Sequence, residues 1–508
     1  MTLEELRAKI DTVDGQLLRL FAERMEIAGD IARYKAEHGL PVLDADRENE
    51  KLLALRETAP EELKDYVFSL FSRLFALSRD RQEKTIAALR RENAAQNAGK
   101  SGLRCGLLGR HLAHSYSPAI HASLGDYAYR LYEIEPEQVE SFLRGGGFDA
   151  LNVTIPYKKT AAALCDELSE TARAVGSVNT ILRRADGTLY GDNTDVYGFE
   201  ELLRRASFSP RAKKVLVLGS GGASAAAVYA LRRQSPREIV VVSRNGENNY
   251  TNLSRHTDAE MIVNATPVGM YPHNGESAVD LVRFPNCRAV VDLVYNPLRT
   301  ALLLQAEERG IPYADGLTML CAQAVRSSEL FTGKPAADGA VEHAVDLVKR
   351  RMLNIVLVGM PGCGKTVVAE ALGKALGREV LDTDAYIAEQ TGLTPEKIIT
   401  AQGEGAFRAL EEEAVRALGG SFGAVIATGG GAVLHEDNYA PLHQNGVIFW
   451  LRRDLDKLAQ GGRPLSLSHN LNAMYGMREK RYLRFADYII DNNRSLADTV
   501  EDIRKVIL

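Results

Sequence analysis

The segment Gly359-Met-Pro-Gly-Cys-Gly364-Lys365-Thr366 constrains this chain more than any other. It fits GxxxxGK[ST], follows the apolar run LNIVLVG and precedes the helical stretch VVAEALGKAL. Strand, glycine turn and helix in that order make a phosphate loop on a parallel sheet. Gly362, Cys363 and Gly364 offer backbone N–H groups to phosphate, Lys365 places a point charge on the β/γ oxygens, and Thr366 presents a hydroxyl to Mg²⁺. A glycine turn that only joins strand to helix is the bland reading, and the complete motif weighs against it. The loop implies a nucleotide phosphate as ligand and leaves the acceptor open.

With 508 residues, the chain is too long for that domain alone and suits three or four domains of ~150 residues each. At 45% hydrophobic and 25% charged residues it reads as globular, neither fibrous nor disordered. No apolar run reaches the ~18 residues of a membrane span, and the charged N-terminus MTLEELRAKID lacks a signal-like stretch, so a cytoplasmic protein without a membrane partner is expected. Cys105, Cys165, Cys287, Cys321 and Cys363 are never spaced as CxxC and read as reduced thiols. A net charge of −5 supplies no global pull on nucleic acid, which is not expected as a partner, so anionic small molecules must be held by local clusters.

Hydrophobic periodicity divides the chain. Residues 1–92 read as an all-α helical bundle. Leu3, Leu6, Ile10, Val13, Leu17, Leu20, Ile27, Ile31 and Tyr34 form the seam of a long helix, and further helices are expected near Asp46–Glu57 and Glu61–Arg91. Residues 93–102 (NAAQNAGKSG) read as a polar linker. From Leu103 short apolar runs alternate with helical stretches, which predicts two α/β regions with largely parallel sheets, 103–350 and 352–508. In the first, the strand KVLVL leads into Gly219-Ser-Gly221-Gly222-Ala223-Ser224, a dinucleotide turn with serine at the third glycine position. The next strand ends at Arg244, where an NAD enzyme would carry an acid, and arginine there favours the 2′-phosphate of NADP.

Three family resemblances follow. The set Leu381-Asp382-Thr383-Asp384, Phe407-Arg408-x-x-Glu411, Gly429-Gly430-Gly431, Arg463-Pro464-Leu465 and Arg478 resembles shikimate kinase across 352–508. The resemblance implies that Asp382, with Thr366, helps to hold Mg²⁺, and that Asp384 accepts the proton of the shikimate 3-hydroxyl. It further implies that Arg408 and Arg478 take the carboxylate beside Gly430 and Gly431, while Lys365 and Arg463 steady the transferring phosphoryl group of ATP. The Arg463–Arg478 stretch is short for that family. As an isolated residue Asp384 would read as a helix N-cap.

The elements His114-Ser115-Tyr-Ser117-Pro118, Asn152-Val-Thr154-Ile-Pro156-Tyr-Lys158, Asn179-Thr, Asn-Thr-Asp195, Asn264-Ala-Thr266, Asp292-Leu-Val-Tyr295 and Gln323 resemble shikimate dehydrogenase over 103–350. By that likeness 103–208 is a substrate lobe, 209–315 an NADP lobe and 316–350 a pair of return helices. Lys158 and Asp195 would be the catalytic pair, with Ser115, Ser117, Thr154, Asn179, Tyr295 and Gln323 around the ring of 3-dehydroshikimate or shikimate. Gly219, Gly221, Gly222, Ala223, Arg244 and Thr266 would hold NADP. The chemistry agrees, since a ketone reduction needs a proton donor at the developing alkoxide and an ammonium steadied by a carboxylate can serve. Only about 20 residues separate Arg244 from Asn264, so by that likeness the nucleotide lobe is expected to lack a helix that longer relatives carry.

At the N-terminus Arg24 falls on the apolar stripe and Lys35 follows three turns along the same face, a pair that calls for a buried anion. With Arg7, Asp44, Arg47, Glu48, Ser78 and Gln82, the spacing resembles the all-helical chorismate mutases, which implies an intertwined homodimer binding chorismate. Arg7 would reach the partner's site, Arg7 and Arg24 would take the carboxylates, and Lys35 and Gln82 would donate to the ether oxygen. The alternative is a helical module that only dimerises or senses an effector, attached to a bifunctional dehydrogenase and kinase.

Overall fold

A computed structural model describes residues 3–38, 45–96, 102–112, 115–458 and 471–507. Its contacts separate into two compact units, Met1–Gly102 and Leu103–Leu508.

The first unit is helical. α1 spans Leu3–His38, α2 Ala45–Thr58, and α3 Lys64–Gln96 after a 3₁₀ turn at Glu61–Leu63 that Pro60 introduces. α3 runs on beyond the expected Arg91 into the polar tract, where Asn93-Ala-Ala-Gln still permits helix. Ala28 and Ala32 of α1 and Phe75, Ser78 and Gln82 of α3 are buried. The stripe predicted as a packing seam is open within the chain: Leu6, Ile10, Val13, Leu17, Leu20, Ile27 and Ile31 are all exposed.

The second unit holds three sheets. In the first, β1 (Arg104–Gly109), β2 (Ala128–Glu133), β3 (Ala150–Val153), β4 (Glu167–Leu168), β5 (Thr180–Arg183) and β6 (Leu189–Asp192) lie in the order β2-β1-β3-β5-β6-β4. β5 runs antiparallel to both neighbours, so this sheet is mixed. In the second, β7 (Lys214–Leu218), β8 (Glu238–Val242), β9 (Met261–Asn264), β10 (Ala289–Asp292) and β11 (Tyr313–Ala314) are parallel in the order β11-β10-β9-β7-β8. Runs such as KVLVL and AVVD are apolar on both faces because helices cover both faces of a parallel sheet, and every residue of β7, β9 and β10 is buried. Between β8 and β9 only a 3₁₀ turn forms, at Leu253–His256. The third sheet joins β12 (Asn354–Val358), β13 (Val380–Asp382), β14 (Val425–Ala427), β15 (Gly446–Arg452) and β16 (Tyr488–Asp491) in the parallel order β13-β14-β12-β15-β16. Its core includes Trp450, stacked on Tyr482 at 5.5 Å.

Leu353 alone separates the helix Ala340–Met352 from β12. All five cysteines are free thiols. No helix among the described residues is long and apolar enough to cross a membrane.

Candidate active sites

The phosphate loop leaves β12 and enters the helix Lys365–Leu376. Gly362 and Gly364 take φ of 84° and 97°, a region that favours glycine. A cavity of about 540 Å³ opens here, lined by Gly362, Gly364, Lys365 and Thr366 from the loop, and by Asp382, Asp384, Arg408, Gly430, Gly431 and Arg478 from elsewhere in the fold. Cys363 is buried behind the loop, where its carbonyl accepts from Asn492 at 2.6 Å. Arg463 lies outside the described residues.

The two aspartates of this cavity have different surroundings. Asp382 is the N-cap: its Oδ1 accepts from the N–H groups of Asp384 (2.9 Å) and Ala385 (3.2 Å), and its Oδ2 accepts from Thr366 Oγ1 at 2.9 Å. Asp384, the residue that read as a cap in isolation, has a buried Oδ1 without a hydrogen-bond partner. Burial, then the charges of Asp382 and Glu411, push its pKa up to about 6 against the opposing pull of Lys365 and Arg408. Arg408 is held by Glu411 at 2.6 Å and Glu404 at 2.8 Å, and Arg478 donates to the Gly430 carbonyl at 3.1 Å. A β carbon at Gly431 would stand 2.1 Å from the Arg408 guanidinium and push it from its place. Thr394, Ile399 and Met474 also line the cavity, and no motif singled them out.

A second cavity, of about 720 Å³, lies in the dehydrogenase-like region. Ser115, Ser117, Thr154, Lys158, Asn179, Asp195, Tyr295 and Gln323 all line it. Lys158 opens the helix Lys158–Leu164 and Asp195 opens Asp195–Arg205, so two helix starts bring the pair together at 2.6 Å. The other Asp195 oxygen accepts from Asn179 Nδ2 at 2.8 Å, and Asn179 Oδ1 accepts from the Thr194 N–H at 2.7 Å. The carboxylate is thereby clamped on the side away from the lysine. Asn152, Met270, Leu293 and Met319 complete part of the wall. Asn152 sat inside a recognised motif, whereas Met270 carried no signal beyond its apolarity.

The dinucleotide turn adjoins this cavity. Gly219 has φ 107°, and a β carbon there would stand 2.9 Å from the Ala265 carbonyl and 3.0 Å from Thr266. Ser224 donates to the Gly219 carbonyl at 2.7 Å, and the helix Gly222–Arg232 begins at the turn. Ala223 reaches the cavity lining, while a β carbon on Gly222 would lie 3.9 Å from Lys158 Cδ. Arg244 is exposed just beyond β8, and Gly221 precedes the helix in an extended conformation.

In the helical unit Arg24 donates to Ser78 Oγ and stands 5.2 Å from the centre of the Phe75 ring. Burial depresses the Arg24 pKa, with Glu48 pulling it back. Glu48 pairs with Arg79, a partner the spacing did not suggest, and the buried Gln82 Oε1 has no hydrogen-bond partner. Lys35 is half-buried on α1, and Arg7 and Arg47 are exposed. Asp44 lies outside the described residues.

Comparison with known proteins agrees with these three settings. The family model for chorismate mutase type II matches residues 6–83, that for the shikimate dehydrogenase substrate-binding domain 107–181, and that for shikimate kinase 361–508. A shikimate dehydrogenase (NADP(+)) of Clostridium perfringens is 36% identical over 267 residues, covering 48% of this chain and 98% of its own. One from Methanopyrus kandleri is 37% identical over 272 residues, covering 47% and 93%. A solved chorismate mutase/shikimate 5-dehydrogenase fusion protein from Clostridium acetobutylicum is 34% identical, covers 48% of this chain and 96% of its own, and has a TM-score of 0.46. The chain therefore belongs to the shikimate dehydrogenase family. With a chorismate mutase domain before that region and a shikimate kinase domain after it, it is a trifunctional enzyme of the shikimate pathway.

Proposed function

We propose that residues 1–92 rearrange chorismate to prephenate, that 103–350 reduce 3-dehydroshikimate to shikimate with NADPH, and that 352–508 phosphorylate the shikimate 3-hydroxyl with ATP, with 93–102 as linker. The dehydrogenase assignment rests most directly on the Lys158–Asp195 contact of 2.6 Å inside a cavity that also holds Asn179, Thr154 and Gln323. Lys158 Nζ hands a proton to the alkoxide oxygen as the ketone is reduced, and Asp195, clamped by Asn179, keeps the ammonium aimed there. The tight Gly219 turn at the N-terminus of the helix Gly222–Arg232 fits a pyrophosphate, and Arg244 fits a 2′-phosphate. NADPH bound there supplies the hydride.

In the kinase domain Asp384 takes the proton from the 3-hydroxyl, Arg408 and Arg478 hold the shikimate carboxylate, and Lys365 meets the ATP phosphates. Thr366 and Asp382 are oxygen donors 2.9 Å apart, a set that suits Mg²⁺. Mg²⁺ there would neutralise phosphate charge.

For the mutase, Arg24, Lys35, Ser78 and Gln82, with Glu48 and Arg47 from α2 and Arg7 from a second chain, hold the dianion in its reactive conformer. The half-buried Arg24, placed against Ser78 on the face that also carries the buried Gln82, supports this reading over a purely dimerising module. Arg24→Ala in the full chain is expected to lower chorismate turnover by about a hundredfold or more while dehydrogenase and kinase rates stay unchanged. Absence of chorismate turnover in the unaltered chain would favour the dimerising module instead, and full activity in the variant would refute the role of Arg24.

The open apolar stripe of α1 supports a homodimer through the helical domain. Light scattering is expected to report two chains per particle, and Leu17→Glu one, with mutase activity lost alongside. A cytoplasmic setting fits the pathway to which the three activities belong.

A further inference from the structure

The dehydrogenase cavity has a wall whose support comes from the kinase domain. Met270, Leu293 and Tyr295 line that wall. The residue after Met270 is Tyr271, whose N–H donates to the Asn296 carbonyl at 3.1 Å and so ties the two segments together. Buried Asp292 holds the same region from behind, accepting from Asn264 (2.9 Å), Thr300 (2.6 Å) and the Val294 N–H (3.0 Å).

Both segments run directly into the kinase domain. The Tyr271 ring meets Phe422 edge-on at 5.7 Å, and its hydroxyl donates to the Gly419 carbonyl at 3.4 Å. Asn274 and Gln444 exchange hydrogen bonds, the return bond from Gln444 Nε2 to the Asn274 carbonyl measuring 2.8 Å. Arg299, four residues after Tyr295, gives its N–H to the Gln444 carbonyl at 2.9 Å and its guanidinium to the carbonyls of His443 (2.8 Å) and Gly446 (3.2 Å). His443 is buried with Glu307 at 3.2 Å on the dehydrogenase side and Asp487 at 3.6 Å on the kinase side. None of these kinase residues lines the kinase cavity. A partly buried, hydrogen-bonded contact that leads within one residue to a cavity wall couples that wall to the domain behind it.

We infer that the kinase domain holds the dehydrogenase substrate wall in place, with Tyr271 as a positioning residue acting through Met270 and Tyr295 and with Phe422 and Gln444 as its supports across the boundary. The inference rests on the dehydrogenase reading of the cavity. It makes the rate of one domain depend on residues of the other without any contact between ligands.

The test uses the full chain with Phe422→Ala and, separately, Gln444→Ala. The expected result is a rise of about threefold to tenfold in the KM for shikimate oxidation with kcat little changed, the kinase constants unmoved, and recovery in Phe422→Tyr. An unchanged dehydrogenase KM in both variants overturns the inference. So does a parallel loss of both activities with lowered thermal stability, which would mark the contact as structural only. Absence of shikimate oxidation in the unaltered chain would remove the underlying reading and the inference with it.

Discussion

Asp384→Asn is expected to abolish shikimate phosphorylation while ATP binding persists, because the amide keeps the shape of the side chain and loses the ability to accept the hydroxyl proton. Retained turnover in a coupled ADP assay would refute the role. The raised pKa of Asp384, about 6, adds two consequences. Phosphorylation in the unaltered chain should fall as pH drops through 6, since the working form is the ionised one. Stability should move the other way. A carboxyl whose folded pKa lies above its unfolded value stabilises the fold below the unfolded value, and that contribution is lost as pH rises through the folded value. At pH 7.5 the ionised group is therefore a burden, and the inactive Asn variant should be more stable by about 1–3 kcal/mol, read as a higher midpoint in denaturant with the unaltered chain alongside. A more stable, inactive variant would identify a carboxylate retained for chemistry.

Lys158→Ala should lower dehydrogenase kcat by about two to four orders of magnitude, with the NADPH dissociation constant little changed. The lysine touches the carboxylate of Asp195 at 2.6 Å, whereas a β carbon on Gly222 of the dinucleotide turn would meet the lysine at its aliphatic stem, 3.9 Å from Cδ. Removal of the side chain should therefore cost proton delivery more than cofactor affinity. Asp195→Asn should share much of the loss without adding fully to it, since the two groups act as one. A kcat within a few-fold of the unaltered chain would exclude Lys158 as proton donor.

Local motifs were readable where function depends on short-range spacing. The phosphate loop is such a case, because strand, glycines, lysine and helix lie within about 25 residues and the geometry follows from their order. Much of the dehydrogenase cavity was likewise readable, because Ser117, Lys158 and Asp195 open helices and sit inside the motifs that carry the family likeness. Partner choice was less legible. Composition does not say that Asp382 caps the helix while Asp384 is left without a partner, because both are aspartates two residues apart and only the bend at the end of β13 distinguishes them. The pairing of Glu48 with Arg79 joins different helices and has no periodic signature. Tyr271, Arg299 and Gln444 resemble ordinary loop residues until two domains meet, and their burial comes from that docking and not from local sequence. The mixed sheet was hidden for a related reason, since β5 is short and its direction depends on the turns that flank it.

The single-residue joint at Leu353 bears on how the pathway intermediate travels. With no tether between the helix Ala340–Met352 and β12, and with the docked residues closing the boundary, the catalytic domain that makes shikimate cannot swing toward the one that consumes it. Covalent linkage sets their ratio at one to one, and the docked boundary fixes how far shikimate travels between them. The advantage of the fusion is then one of stoichiometry and proximity, without a carrier arm.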